Sequence, residues 1–427
     1  MIFVHGGAGS GAQFESQAMR FTSNGYPPNY IRVLEYDSSS WSNTTYQQIV
    51  WAYLDDLIST ILTETGVDKV DLLGHSLGTA VCQGYLRSST LRASKVAHYV
   101  NIDGMSSPNL PGGVPTLAIW GEGPTTRQVV GAINVYFSDQ SHVQVCTSAE
   151  SFVEMYKFFT GQEPLTKDIV PEPPGQIRLG GRVVYFPLNT GVKGATLEIW
   201  EVDGNTGMRI RKKPEAVYAI GADGAWGPFK AKAGVHYEFA VTFEGPGGIE
   251  TLHYYREPFI RSDYLVRILV SPPGGVAYYA DRSPYHSNLL ILRYKEFWGD
   301  QGVNNDVLKI NGVNVILPAI CPRTKRVNAI WVYDRYADKV NNLTSPIEYY
   351  YAITFQTGVD LFIPAATPPN ATISLTLTSR GGGQTQLINV PNWASLTETV
   401  LHRIVIQFND YLQEINSFQD YMRMWRP

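Results

Sequence analysis

An apolar strand, Lys69-Val-Asp-Leu-Leu73, runs straight into Gly74-His-Ser-Leu-Gly78, and the residues that follow, 79–87, are compatible with a helix. Strand, glycine-flanked serine and helix in that order make a sharp turn that presents a serine side chain on a strained backbone. Side chains at the two glycines would collide as the turn tightens. In a chain with 39 glycines the pentapeptide alone carries little weight. Its context singles out Ser76 as a candidate nucleophile.

The surrounding 165 residues alternate strand and helix. Residues 1–4 read as a short apolar strand ending in His5-Gly-Gly-Ala-Gly-Ser-Gly11, and residues 30–36 as the next. Over 46–65, Ile49, Val50, Tyr53, Leu54, Leu57, Ile58, Ile61 and Leu62 fall on one predicted helical face, with Gly66 as a stop signal. Further strands are expected at 69–73, 96–102, 114–120 and 132–137, and a closing helix at 149–159 before Gly161. Such alternation predicts an α/β unit: a parallel sheet with helices on both faces.

Around Val170-Pro-Glu-Pro-Pro-Gly175 the pattern changes, and proline-rich stretches of this kind stiffen and extend a chain. Short alternating strands at 194–200, 216–220 and 236–242 are separated by turn signals such as Asp203-Gly-Asn and Ala222-Asp-Gly. The expected organisation is an α/β domain over 1–168, a small β-sandwich over 169–258, and a second β-rich section over 259–427 forming a docking barrel. Ser271-Pro-Pro-Gly-Gly, Pro318 and Pro364 interrupt that last section. Tyr411, Ile415, Phe418, Met422 and Trp425 predict an amphipathic helix within 409–427.

Composition narrows the class of partner. A net charge of −4 argues against nucleic acid. No apolar run approaches the ~18–20 residues of a membrane span. No leader is visible ahead of the first strand, and an extracellular or cell-surface location is expected, with a cytoplasmic one left open. Cys82, Cys146 and Cys321 show no metal-ligand spacing and are odd in number, so neither a disulfide framework nor a metal site is expected. Asn43, Asn342 and Asn370 head glycosylation triplets that arise often by chance.

A serine nucleophile needs a base, an acid and an oxyanion hole. Only His98 and His142 lie downstream of Ser76 within the α/β region. His98 falls inside a strand, whereas His142 sits in the loop Ser138-Asp-Gln-Ser-His-Val, free to reach the serine; it is the expected base. For the acid, Glu122 in the loop after strand 114–120 and Asp103 one strand earlier both stand at the right edge. Asp139 is too close in sequence to reach behind the His142 ring. The oxyanion donors are expected to be the backbone N–H groups of Leu77 and of Gly7 in the loop after the first strand. No phosphate-loop pattern is present, and this chemistry calls for no metal or organic cofactor.

Several stretches carry a family resemblance. They are Phe3-Val-His-Gly-Gly-Ala-Gly-Ser10, Gln13-Phe-Glu-Ser-Gln-Ala-Met-Arg-Phe21, Asn24-Gly-Tyr-Pro27, the elbow segment 69–78, Asn134-Val-Tyr-Phe137 and Ser141-His-Val-Gln-Val-Cys-Thr-Ser148. To these are added Arg293-Tyr-Lys-Glu-Phe-Trp-Gly-Asp-Gln-Gly302, Thr357-Gly-Val-Asp-Leu361 and Asn389-Val-Pro-Asn-Trp393. With them the chain resembles, over most of its length, the α/β-hydrolase lipases that carry a C-terminal β-barrel lipid-binding domain, archaeal members in particular. The resemblance implies Ser76 as nucleophile, His142 as base and Asp103 as acid, with Leu77 and Gly7 as oxyanion donors, although the archaeal relative has leucine where Gly7 stands. It implies an ester or lipid substrate, aggregated or polymeric, cleaved through an acyl-enzyme. The chain departs from the pattern where a helical lid would be inserted: only residues 38–46 separate the second strand from its helix, and at most Trp41 could lean over the cleft. A lidless polyester or cutin hydrolase and an inactive lipid-binding protein are the alternative readings. No catalytic residue is expected beyond about residue 170, and the sequence does not fix the oligomeric state.

Overall fold

The computed structural model describes residues 1–382 and 384–410. The expected tail helix therefore lies outside the described residues, apart from Asn409 and Asp410. The chain divides into two compact units. The first comprises Met1–Val170 together with Val184–Thr190 and Asp263–Arg267; the second takes Pro171–Val183, Gly191–Ser262 and the chain from Ile268 on.

The first unit is built on six parallel strands: β1 (Ile2–Val4), β2 (Arg32–Leu34), β3 (Val70–His75), β4 (Val96–Ile102), β5 (Thr116–Trp120) and β6 (Ile133–Tyr136). They lie in the order β2-β1-β3-β4-β5-β6. Side chains on a strand alternate between faces, and here each face has its own core. After α1 (Glu15–Ser23) come α2 (Thr44–Thr65) and α3 (Leu77–Ser88), whose Leu54, Ile58, Val81 and Tyr85 join a cluster with Ile2, Val4 and Leu72. Phe3, Leu73 and Leu117 join Phe14, Phe21, Phe152 and Met155, which come from the helical stretches on the other side. Covering both faces is what makes the central strands mostly apolar.

Helix α2 begins two residues earlier than its apolar pattern predicts, because the Asn43 carboxamide caps it, accepting from the N–H groups of Thr45 (2.9 Å) and Tyr46 (3.2 Å). It ends on Gly66 in the left-handed conformation, φ 70°. Its buried face is Val50, Trp51, Leu54, Ile58 and Ile61, whereas Ile49 and Tyr53 are exposed. The expected stripe was thus too wide on one side and missed Trp51 on the other. That indole donates to the Val81 carbonyl at 3.1 Å and fills the space over Gly84, where a Cβ would lie 2.5 Å from the ring.

Two later segments complete the first unit. Leu265 enters the core beside Phe21 and Phe152. Arg267 Nε donates to Glu35 Oε1 at 2.7 Å, and the same carboxylate accepts from Gly11 N at 3.2 Å.

The second unit is nearly all β. An eight-stranded sheet runs through Ala216–Ala219, Thr196–Val202, His236–Gly245, Gly248–Arg256, Val400–Phe408, Leu289–Phe297, Val327–Tyr333 and Gln356–Asp360 in that order. Its halves come from either side of residue 258 and meet where Gly248–Arg256 pairs in parallel with Val400–Phe408. A smaller sheet, formed by Val313–Asn314, Val307–Ile310, Thr372–Thr378 and Gln386–Pro391, faces it across a shared core that includes Ile291, Ile330, Ile404, Leu308 and Leu375. No helix among the described residues is long and apolar enough to cross a membrane.

Because Leu265 and Arg267 belong to the first unit, a fragment ending at Val170 should be destabilised. It exposes part of the core that Leu265 covers and leaves Glu35 without its guanidinium partner. The expected outcome is a lower thermal midpoint than that of the same unit in the full chain, with stronger binding of a hydrophobic dye. A fragment as heat-resistant as the full chain would contradict this role.

Candidate active site

The serine sits where β3 breaks into α3. Its backbone is strained, with φ 54° and ψ −122°, a region that L-residues with a Cβ occupy at a cost of roughly 1–3 kcal/mol. Close packing holds it there. A Cβ on Gly74 would lie 2.6 Å from the Gly78 carbonyl oxygen, and one on Gly78 would overlap the Val4 carbonyl oxygen of β1. Both glycines of the motif are therefore required. Ser76 itself is half-buried.

Three side chains converge. Ser76 Oγ lies 2.9 Å from His142 Nε2, and His142 Nδ1 lies 2.6 Å from Asp103 Oδ2. Asp103 follows β4 directly with φ 42°, and its N–H donates to the Ile119 carbonyl at 2.7 Å. The next residue must be glycine, since a Cβ on Gly104 would overlap Thr79 Oγ1. The carboxylate next to His142 Nδ1 is thus that of Asp103. The Glu122 loop contributes otherwise: Gly121 N–H donates to Asp103 Oδ1 at 2.9 Å, and the Glu122 carbonyl accepts from Arg127. His98 lies in β4 with its Nδ1 2.8 Å from Asp71 Oδ1.

Arg127, which no sequence signal marked, donates to Asp103 Oδ1 at 2.8 Å and to the carbonyls of Gly121 and Glu122. Burial works against a charge on Asp103. The hydrogen bond and charge of His142, the Gly121 N–H and the Arg127 guanidinium outweigh it and hold the carboxyl down at about 2.

His75, the variable residue inside the motif, braces the histidine loop. Its burial, and next the neighbouring His142, push its pKa down to about 3, so the ring is neutral. Its Nε2–H donates to the His142 carbonyl at 2.9 Å, and its Nδ1 accepts from Gln13 Nε2 at 2.9 Å. The position just before the serine could have suggested this role; Gln13, 62 residues upstream, carried no such signal.

The loop after β1 lies against the serine. A Cβ on Gly6 would stand 2.9 Å from Ser76 Cβ, and one on Gly7 would stand 3.8 Å from Leu77 Cδ2. Gly7 and Leu77 are therefore neighbours beside Ser76. Trp41 is partly buried and packs edge-on against Tyr36 and Trp51, both at 6.3 Å between ring centroids, beside the core under α2.

A parallel sheet with helices on both faces and a strand–serine–helix elbow defines an α/β-hydrolase fold, here followed by a β-rich region. The particular kind is indicated by family comparisons. Residues 1–91 match the model described as Lipase (class 2), residues 175–273 match Lipase C-terminal domain, and residues 275–412 match a further C-terminal domain model. Together these matches fit a lipase with C-terminal domains, a lipolytic ester hydrolase. A comparison with curated proteins gave no match. Among solved structures, phospholipase PlaB from Legionella pneumophila aligns over 95% of this chain and 93% of its own at 8% identity, with a TM-score of 0.22. PlaB in complex with thio-NAD aligns over 96% and 92% at 7% identity, with a TM-score of 0.21. At such scores the likeness carries no structural argument.

The depressed Asp103 pKa makes a prediction about acid stability. In the unfolded chain the carboxyl titrates near 3.8, and in the folded chain at about 2. Its stabilisation is therefore complete above about pH 4 and is lost as pH falls through about 2. The size is on the order of 2 kcal/mol. The difference in stability between wild type and Asp103→Asn should shrink steadily over that window. A constant difference would show that the carboxylate is not stabilised by its neighbours.

Proposed function

We propose that the protein hydrolyses carboxylic esters of lipids, as a triacylglycerol lipase or carboxylesterase, through Ser76, His142 and Asp103. The observation that carries this reading is the unbroken chain of 2.9 and 2.6 Å contacts ending on a strained, half-buried serine. His142 takes the proton of Ser76 as the hydroxyl attacks the ester carbonyl. Asp103 fixes the imidazole with its Nδ1–H toward the carboxylate and stabilises the imidazolium that forms. The N–H groups of Gly7 and Leu77 receive the developing oxyanion. The alcohol leaves with the proton held by His142, and water, activated by the same imidazole, hydrolyses the acyl-enzyme.

Each member of such a triad acts as part of one unit. Ser76→Ala, His142→Ala and Asp103→Asn should therefore each lower turnover of a p-nitrophenyl ester panel, from acetyl to palmitoyl, by several orders of magnitude while the fold persists. Glu122→Gln should retain most activity. Inactivation by Glu122→Gln together with an active Asp103→Asn would overturn the assignment of the acid.

The half-buried serine and the packing of Trp41 against Tyr36 and Trp51 favour a second reading at the level of substrate. Without a flap over Ser76 the cleft would admit bulky or polymeric esters such as polyesters and cutin. Lidded enzymes gain activity sharply when substrate aggregates. This one should show a rate that rises smoothly through the solubility limit of tributyrin. A jump in rate at the onset of emulsion would rule out an open cleft. The β-rich region is assigned to docking or stability, with no residue in the chemical steps.

A further inference from the structure

The loop that carries the expected oxyanion donor is held from a distant part of the chain. His5, at the end of β1, is fully buried and stacked on Tyr36, with ring centroids 4.4 Å apart. Its Nδ1 lies 2.9 Å from the Gly6 carbonyl oxygen, which can only accept. On its other side, Nε2 receives the Asn189 side-chain amide at 3.2 Å and the Tyr36 N–H at 3.4 Å. Nδ1 therefore carries a proton donated to Gly6, while Nε2 faces these two N–H donors, with the Glu35 carboxylate further off at 3.7 Å. Burial, the largest influence, lowers its pKa in keeping with that state.

Asn189 sets this arrangement. Its Nδ2 also donates to the carbonyls of Gly9 at 2.9 Å and Tyr36 at 3.1 Å. Both oxygens are obligate acceptors, so the amide cannot be turned over without facing oxygen to oxygen. Asn189 is 4% exposed, and its Oδ1 finds no partner among the described residues. The position thus uses the donor half of the amide and tolerates an unpaired acceptor. Its backbone has φ 56°, a conformation asparagine accepts more readily than most residues. The residue belongs to the segment Val184–Thr190, which is part of the first unit despite lying beyond residue 170.

The consequence runs through one peptide plane. In a trans peptide the C=O of one residue and the N–H of the next point in opposite directions. Locking the Gly6 carbonyl onto His5 therefore fixes the direction of the Gly7 N–H, beside Leu77. We infer that Asn189 is a positioning residue for the oxyanion hole: by holding His5 Nε2 and the Gly9 carbonyl, it aims the Gly7 N–H at the site where charge develops. This rests on the reading of Ser76 as an ester-cleaving nucleophile.

The test uses the full chain. Asn189→Gly removes the amide and relieves the left-handed backbone without adding bulk. With p-nitrophenyl butyrate, kcat should fall about 10- to 100-fold, a part of the loss expected when an oxyanion donor is removed outright. KM should stay within about twofold. Affinity for butylboronic acid, whose tetrahedral adduct on Ser76 places an oxygen in the hole, should fall by a factor similar to that in kcat. Asn189→Asp keeps the size, cannot donate, and should move both quantities in the same direction; it carries the test if the glycine variant fails to fold. Wild-type kcat and boronate affinity in a folded variant would overturn the inference, as would a loss of kcat with boronate affinity intact. Full turnover by Ser76→Ala would instead overturn the underlying reading, whatever the Asn189 variants do.

Discussion

The backbone at Ser76 is the constraint on which the site depends. A serine held at φ 54° is tolerated only where its surroundings leave it no alternative. Here the surroundings are the glycines at 74 and 78, the carbonyl of Val4, and a helix that starts at the next residue. The same close approach fixes the neighbouring strands. With β3 between β1 and β4, the loop after β1 lies on one side of the serine and Asp103 arrives from the other. Burial of both faces of the sheet supplies the free energy that the strained turn draws upon.

Charge is placed with similar economy. Asp103 is the anion of the site, and its side chain is only 2% exposed. A carboxylate so buried stays ionised only if several donors meet it. His142, the Gly121 N–H and Arg127 do so, and Arg127 is itself held over the Trp120 ring at 5.2 Å. Two other histidines, His5 and His75, are buried as neutral rings, each using one nitrogen to hold a backbone carbonyl in the site. The residues around the serine are thus sorted by protonation state before any substrate arrives.

What could be read from the sequence was what is local. The elbow announces itself through a strand, two glycines and a helix that are adjacent in the chain. The position of His142 in a loop after the last strand follows from chain order, and Asp103 was one of two acids at the right edge. The sheet and its helices were legible from periodicity, with errors at the ends and on one helix face, where Trp51 is buried in place of Tyr53. What could not be read comes from afar. Arg127 lies in a turn-rich stretch with nothing to mark it. Asn189 stands in a turn and Arg267 in a strand, both within β-rich stretches, and only the folded chain returns them to the first unit. A polar residue that serves a distant loop has no local signature.

The β-rich unit shows why a carboxylate–imidazole pair is insufficient by itself. Glu238 and His253 make one at 2.6 Å, as close as the pair at Asp103 and His142. Glu238 is held down at about 2: burial opposes its charge, and the hydrogen bonds of His253 and Arg209 overcome that. Yet the far nitrogen of His253 meets His402 Nδ1 at 2.9 Å, and its ring is stacked under Trp393 at 4.1 Å. Both nitrogens are occupied, the ring is 1% exposed, and the far partner is a second imidazole. Burial, and next the adjacent His253, push His402 down to about 4, so the His402 ring is neutral at pH 7. In this unit the pairing ties strands together across a sheet. At the elbow the same pairing ends on the hydroxyl of the half-buried Ser76, held on a strained backbone, and that difference in the final partner is what the proposed chemistry requires.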